Sequence, residues 1–232
     1  MTTEQIIEEA VGDYLTARRE EHVPTSRWYA SGALGCWRQR WWVAERKEPD
    51  RQPGNKALLV MDIGSTVHRI IQDALGRLPG VQAEVPWRVD TYGGRADLVV
   101  PSDVLGVPGP LVVEIKTMAA FGFKRTGKAG VPEPRHALPA ALCSYALEIP
   151  HFGVLEVNRD SMEMRFTPYE LSREWVKECE EEIEEALRLD ALGKVPHRII
   201  PGEPEVKDPL GSSAPWQCRY CQFVSACSTE GP

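Results

Sequence analysis

The chain has 232 residues, a formal net charge of −7 and 42% hydrophobic residues, enough to bury a sizeable core as one domain with an appendage. No apolar run approaches the roughly 18 residues of a membrane span, and the acidic start lacks the basic flank and apolar centre of a signal peptide, so a soluble cytoplasmic protein is expected. Six cysteines in a chain of this length do not resemble a small disulfide scaffold, and clustered thiols in a reducing compartment favour metal.

The charge is unevenly placed. Residues 170–190 carry nine acids and three bases, which nearly accounts for the whole excess and reads as a solvated helix face. Two basic stretches run against it. The first, "CWRQRWWVAERK", mixes Arg38, Arg40, Arg46 and Lys47 with Trp37, Trp41 and Trp42. The second, "FGFKRTGKAGVPEPRH", sets Lys124, Arg125, Lys128 and Arg135 against Glu133 alone. A nucleic-acid partner is therefore compatible with a negative total.

In chain order, Ile6, Ile7, Ala10, Val11, Tyr14 and Leu15 fall at helical spacing behind Thr2, with Gln5 placed to complete a capping box. Ser31 caps a second predicted helix carrying Cys36 and the Trp-Arg cluster. A third spans Gly64 to Leu78, with Val67, Ile70, Ile71, Ala74, Leu75 and Leu78 as its buried stripe and His68 beside it, and ends at Pro79-Gly80. The period then changes. "VQAEVPWRV", "GGRADLVV" and "LVVEIKT" read as three strands, the first two joined by a turn at "TYGG". "HALPAALCSYALEI" reads as a helix, "FGVLEVN" and "MEMRFT" as a strand pair, and Leu171 to Leu192 as a long acidic helix before a cysteine-rich tail. The organisation expected is a helical segment (1–30), a helix and loop bearing Cys36 (31–61), a mixed α/β core (62–200) and the tail (201–232), together one structural domain.

The chemistry concentrates in the strands. Residues two apart on a strand share a face, so Glu114 and Lys116 stand side by side while Ile115 points into the opposite layer. Asp97 lies on the strand before. Carboxylates are hard ligands for Mg²⁺ or Mn²⁺, such an ion activates water and polarises a phosphodiester, and an ammonium offsets developing negative charge. His68 adds an imidazole, which shifts preference toward Mn²⁺ without excluding Mg²⁺. Taken singly, a Glu-x-Lys pair on a strand is usually a surface ion pair and a helical His is usually structural. The ordered set of Gly64, His68, Glu84, Asp97 and Glu114-x-Lys116 changes that balance.

The order "GSTVH", "GGRADLVV", "VVEIKT" resembles the core of the PD-(D/E)XK nuclease superfamily, specifically its RecB-like exonuclease branch. Cys36, Cys218, Cys221 and Cys227 form C…C-x2-C-x5-C, similar to the iron-sulfur staple of CRISPR-associated exonucleases and AddB-type helicase-nucleases. The resemblance covers residues 31 to 228. It implies a restriction-endonuclease-like fold, a mixed central sheet flanked by helices, and an exonuclease acting on single-stranded DNA ends in recombination, repair or CRISPR- or phage-related processing. It implies that His68, Asp97, Glu114 and the carbonyl of Ile115 hold the metal and that Lys116 is the catalytic lysine, with Glu84 less secure. Four thiolates hold either a [4Fe-4S] cluster or Zn²⁺, and the resemblance selects iron-sulfur. A tie from Cys36 to the tail spans about 180 residues of chain. Cys143 and Cys179 are read as packed side chains.

The sequence departs from the family in one place. The helix after the catalytic strand ordinarily bears a Gln and, four residues on, a Tyr; here Pro139 and Cys143 stand in those places, or Ala141 stands before Tyr145. That departure bears on strand handling more than on hydrolysis. DNA contacts are assigned to Lys124, Arg125, Lys128, Arg38 and Arg40, with Phe121 or Phe123 available for base stacking and residues 121–136 lining the entrance. The alternatives are a non-cutting nucleic-acid-binding module of the same fold, and an iron-sulfur sensor, which four-cysteine ligation disfavours because it leaves no open site. A homo-oligomer or a complex with other DNA-processing proteins is compatible with either reading.

Overall fold

The computed structural model describes residues 2–17, 26–201, 207, 209, 211 and 214–230. The elements in order are α1 (Thr3–Ala17), β1 (Trp28–Tyr29), a 3₁₀ turn (Ala30–Gly32), α2 (Trp37–Ala44), α3 (Asn55–Leu75), β2 (Gln82–Val89), β3 (Tyr92–Val100), β4 (Leu111–Met118), α4 (Ala120–Ala129), α5 (Pro134–Ala146), β5 (His151–Asn158), β6 (Met164–Glu170), α6 (Arg173–Leu192), α7 (Trp216–Arg219) and α8 (Val224–Thr229). They divide into two units. One combines α1, α2, the first turn of α3 and the chain from Leu187 onward; the other holds the sheet and runs from Val60 to Ala186, with β1.

The sheet is mixed, as the strand patterns imply. Its order is β1-β3-β4-β5-β6, with β2 on β3. β2 pairs antiparallel along nearly all of β3, so β1 and β4 share the other edge, β1 at Tyr92–Gly93 and β4 at Leu98–Val100. β4 and β5 are parallel, and the crossover that such a pair requires is supplied by α4 and α5. β4 is buried at every position from Leu111 to Ile115, which explains its continuous apolar run. Leu111, Val113 and Ile115 join Leu98, Val100 and Val157 in a core closed by Val67 and Ile71 of α3. α5 packs against β4 and β5, its small Ala140 and Ala141 fully buried.

Several boundaries differ from the sequence expectation. α3 starts at Asn55 and ends at Leu75; Ile70 is 57% exposed and Ala74 is exposed, while Gln72 is buried, so the apolar stripe is narrower than the periodicity suggests. The β2–β3 turn falls at Asp90-Thr91 rather than at "TYGG": Asp90 takes φ 51°, leaving Tyr92 to pair with Val89. Ser31 lies in the 3₁₀ turn and caps nothing; α2 begins at Trp37 with Cys36 at its N-cap. In α1, the Ile6 amide donates to the Thr2 carbonyl, and the Gln5 side chain lies outside the described residues. α7 and α8 place two short helices in the tail.

Residues 120–129 form a helix that the sequence reading did not assign, because Gly122 and Gly127 lower helix propensity. The structure shows why Gly127 stands there. A Cβ at that position would sit 2.4 Å from an Arg165 guanidinium nitrogen. Arg165, on β6, donates to the Phe123 carbonyl and the Thr126 hydroxyl of α4 and lies over the Phe123 ring. Its Nε and Nη2 donate to Glu156 Oε2 at 3.0 and 2.5 Å, and Glu156 is wholly buried. One guanidinium thus binds α4 to two strands. The opposite face of α4 exposes Phe121, Lys124, Arg125 and Lys128 at i, i+3, i+4 and i+7, a single stripe.

Removing one partner of such a pair leaves a charge stranded in the interior. We expect Arg165→Met to cost about 3 kcal/mol, the low end for a broken buried pair because the guanidinium keeps some water. Adding Glu156→Gln should restore much of the loss. Urea unfolding of the single and double variants measures the coupling; a double variant no more stable than Arg165→Met would show that the carboxylate is satisfied without its arginine.

Candidate active site and cysteine pocket

The pairing of β3 with β4 stops at Leu98 and Val113. Beyond it the strands part, and the next ladder donor on β4, the Ile115 amide, is met by a side chain: it donates to Asp97 Oδ2 at 2.6 Å. The carboxylate thus replaces a missing backbone carbonyl. His68 Nε2 of α3 reaches the same oxygen at 3.0 Å. Four residues further along α3, Gln72 donates to Glu84 Oε1 at 2.6 Å and to the Asp97 carbonyl at 3.1 Å. Lys116 Nζ lies 2.5 Å from Glu114 Oε1, the same-face pairing expected two residues apart on a strand.

The electrostatics follow from burial. Glu114 is 7% exposed; desolvation pushes its carboxyl up to about 7, Asp97 adds to the rise, and the Lys116 charge opposes it. Burial pulls Lys116 down, but Glu114 outweighs this and holds the ammonium above its usual value. For His68 burial is likewise outweighed, by the hydrogen bond and charge of Asp97. All three shifts run upward, toward the protonated forms, as expected where carboxylates gather in a desolvated place.

The residues singled out in the sequence come together. His68, Asp97, Glu114 and Lys116 meet at the strand divergence, and Ile115 contributes its amide there while its side chain joins the core. Glu84, with φ 54°, is held between Gln72 and Arg95 Nη1, the latter 3.8 Å away. Gln72 was missed, although its i, i+4 relation to His68 is a readable signal. The place of the absent glutamine is filled by apolar residues: Pro139, Ala141 and Cys143 are all buried, and Cys179 is buried too. Behind Lys116, whose register partner on β5 is Glu156, His136 Nδ1 lies 3.9 Å from Glu156 Oε1. Burial, aided by Lys116, Arg135 and Arg125, pushes His136 down to about 4, so this imidazole is neutral at neutral pH.

Two assigned DNA contacts are corrected. Arg38 and Arg40 are 2% and 8% exposed. Arg38 Nε donates to the Pro196 carbonyl at 2.8 Å, and the Arg40 guanidinium stacks 4.1 Å from the Trp37 ring centroid. Both serve packing around tryptophan, as Arg does when its planar group is partly desolvated. Phe123 is likewise covered, by Arg165, whereas Phe121 is 79% exposed. Arg125 pairs with Glu133. Among the described residues, Lys124 and Lys128 pair with no carboxylate.

In the other unit, Cys36, Cys218, Cys221 and Cys227 line one pocket together with Arg38, Trp42 and Arg198. The tail is fastened around it. The Trp37 amide donates to the Ile199 carbonyl, Arg198 donates to the Cys227 carbonyl, the Ala226 amide donates to Asp50 Oδ2, and Trp42 meets Phe223 edge-on at 5.3 Å. Among the described residues no three His, Cys, Asp or Glu side chains converge as a coordination sphere. The donor chemistry nevertheless fits a metal group. All four thiols are unpaired cysteines. Burial, followed by the neighbouring thiols, pushes Cys218 and Cys221 up to about 11, so ionisation there requires added positive charge. The strand site passes a similar test with hard donors, a buried carboxylate, a second carboxylate and an imidazole.

No protein-family profile and no curated protein matches the chain. Solved structures do. SSO0001 is 16% identical with a TM-score of 0.60, covering 97% of this chain and 98% of its own. LHK-Exo in complex with dAMP is 15% identical with a TM-score of 0.53, covering 71% and 88%. The alkaline exonuclease LHK-Exo from Laribacter hongkongensis is also matched, at 14% identity and a TM-score of 0.47, covering 83% and 84%. The chain shares the fold of SSO0001 and of dAMP-bound LHK-Exo.

Proposed function

We propose that this protein is a PD-(D/E)XK deoxyribonuclease of the RecB-like kind, hydrolysing phosphodiester bonds at single-stranded DNA ends with Mg²⁺ or Mn²⁺. The observation that carries the reading is the gathering of His68, Asp97, Glu114 and Lys116 where β3 and β4 part. The shared fold with LHK-Exo, itself an exonuclease, supports it.

His68, Asp97, Glu114 and the Ile115 carbonyl would hold the divalent ion, which when bound polarises the scissile phosphate and acidifies water. The chain's own residues do the rest. The Ile115 amide holds Asp97 toward the strand. Glu114, desolvated and high in pKa, suits a site that receives a cation. Lys116 keeps its proton beside Glu114 and is placed to orient water and offset charge on the phosphate. The exposed stripe of α4 supplies phosphate contacts through Lys124, Lys128 and Arg125.

In the cysteine pocket, Cys36, Cys218, Cys221 and Cys227 would hold a [4Fe-4S] cluster. The spacing Cys218-x2-Cys221-x5-Cys227 and the shared pocket support this assignment.

Three outcomes test the proposal. On end-labelled single-stranded DNA with Mg²⁺ or Mn²⁺, Asp97→Ala and Glu114→Gln should lose cleavage, and Lys116→Met should lower it by about 10²–10³-fold, each without loss of iron; unimpaired cleavage by pure Glu114→Gln would end the nuclease reading. Replacing Lys124, Arg125 and Lys128 with Gln should weaken single-strand binding and make the salt dependence shallower by about 2 in log–log slope, with cleavage at saturating DNA retained. Anaerobically prepared protein should contain iron and sulfide, both lost on Cys36→Ser, Cys218→Ser, Cys221→Ser or Cys227→Ser with a drop in melting temperature. Cys143→Ala and Cys179→Ala should retain them, and zinc in place of iron would redirect the assignment.

A further inference from the structure

The turn that carries Cys218 and Cys221 has a second face. Cys218 and Cys221 line the pocket, and the turn is tight: the Cys218 amide donates to the Pro215 carbonyl at 3.0 Å and the Cys221 amide to the Cys218 carbonyl at 3.2 Å. With the thiols turned inward, the residues between and before them face solvent. Tyr220 is 79% exposed and Trp216 is 52% exposed, with ring centroids 6.3 Å apart at 62°. Arg219 lies between them in sequence and is exposed, as is Arg51. Arg51 is fastened to the same turn by its amide, which donates to the Gln222 carbonyl at 3.1 Å, and by its guanidinium, which donates to the Arg219 carbonyl at 2.9 Å.

Two large aromatic side chains exposed together on one short turn form the kind of apolar patch that marks an interaction surface. Charge indicates the partner. Among the described residues neither Arg51 nor Arg219 pairs with a carboxylate; the nearby acids Asp50 and Glu230 are engaged with the Ala226 amide and with Lys47. A hydrophobic protein partner would leave both guanidinium groups to be desolvated without counter-charge. A strand whose bases present flat faces and whose phosphates alternate with them satisfies both kinds of group at once, the rings by stacking and the arginines by phosphate pairing and cation–π contact.

We propose that Trp216, Tyr220, Arg51 and Arg219 form a binding site for unpaired nucleic acid, separate from the strand site and from the basic stripe of α4. Duplex DNA, whose bases are already stacked, gains only the phosphate contacts here. The inference rests on the nuclease reading only in taking DNA as the ligand.

The test measures binding of fluorescein-labelled oligothymidylate 20-mer and of a 20-base-pair duplex to the full chain without divalent metal, so that no strand is cut. Trp216→Ala with Tyr220→Ala should weaken oligothymidylate binding by roughly tenfold or more and leave duplex binding within about twofold. Trp216→Phe with Tyr220→Phe should retain single-strand affinity, because the rings remain. Arg51→Gln with Arg219→Gln should make the single-strand salt slope shallower by about 1.4. Melting temperatures measured alongside report any loosening of the turn, to which the Arg51 guanidinium donates. Unchanged single-strand affinity and salt slope in the alanine and glutamine pairs would overturn the proposal, and so would loss of self-association alone, which would assign the surface to protein contact. Cleavage assays on the same variants separate the two readings: active protein with unaltered binding removes this site only, whereas parent protein that neither binds nor cuts DNA removes the nuclease reading as well.

Discussion

An ionisable carboxyl group in an interior strand is the constraint around which this fold is arranged. Glu114 lies in a run of residues buried from Leu111 to Ile115, where desolvation opposes its charged form. What makes the position tenable is Lys116 beside it and the gap that opens where β3 leaves β4. Each of the surrounding features follows from that gap: Asp97 turns in to satisfy the Ile115 amide, His68 reaches Asp97, and Gln72 ties Glu84 to the backbone of β3. A sheet that paired fully at this point would bury the carboxylates without access to a ligand.

The second interior charge, Glu156, shows a different solution. It is neutralised by an arginine that spends its remaining donors on the next helix, so the buried pair fixes where α4 lies while the outward face of α4 stays exposed. Glu156 is the register partner of Lys116, two residues from Glu114, on parallel strands, yet one carboxylate is held by a lysine at the strand divergence and the other by an arginine from the next strand. Lys116 is paired with Glu114 on its own strand, while Glu156, its register partner on β5, takes Arg165.

The strands and the site were readable because they depend on local patterns. Period-two alternation and the continuous apolar run of β4 locate Glu114 and Lys116 on one face, and Asp97 falls on the adjoining strand at the right distance. What escaped depends on partners distant in sequence. α4 contains two glycines that argue against a helix, and only Arg165, about forty residues away, explains one of them. Arg38 and Arg40 looked like surface cations because the tryptophans that bury them were read as a binding motif rather than as their packing partners. Gln72 was hidden by its place at the edge of an apolar stripe. In each case the decisive neighbour lies on another element, where periodicity carries no signal.

The divergence of β3 from β4 also sets where the gene tolerates change in length. The connection between the two strands, residues 101–110, lies beyond the paired segment, and extra residues there lengthen a loop at small entropic cost. Between Asp97 and Val100, or between Leu111 and Lys116, a single inserted or deleted residue exchanges the two faces of a strand: Ile115 would replace Glu114 in the cluster and a carboxylate would enter the core. Length variation in related genes is therefore expected to be dense on one side of a sharp boundary and absent on the other, a reading-frame-like rule imposed by the pleat of one strand.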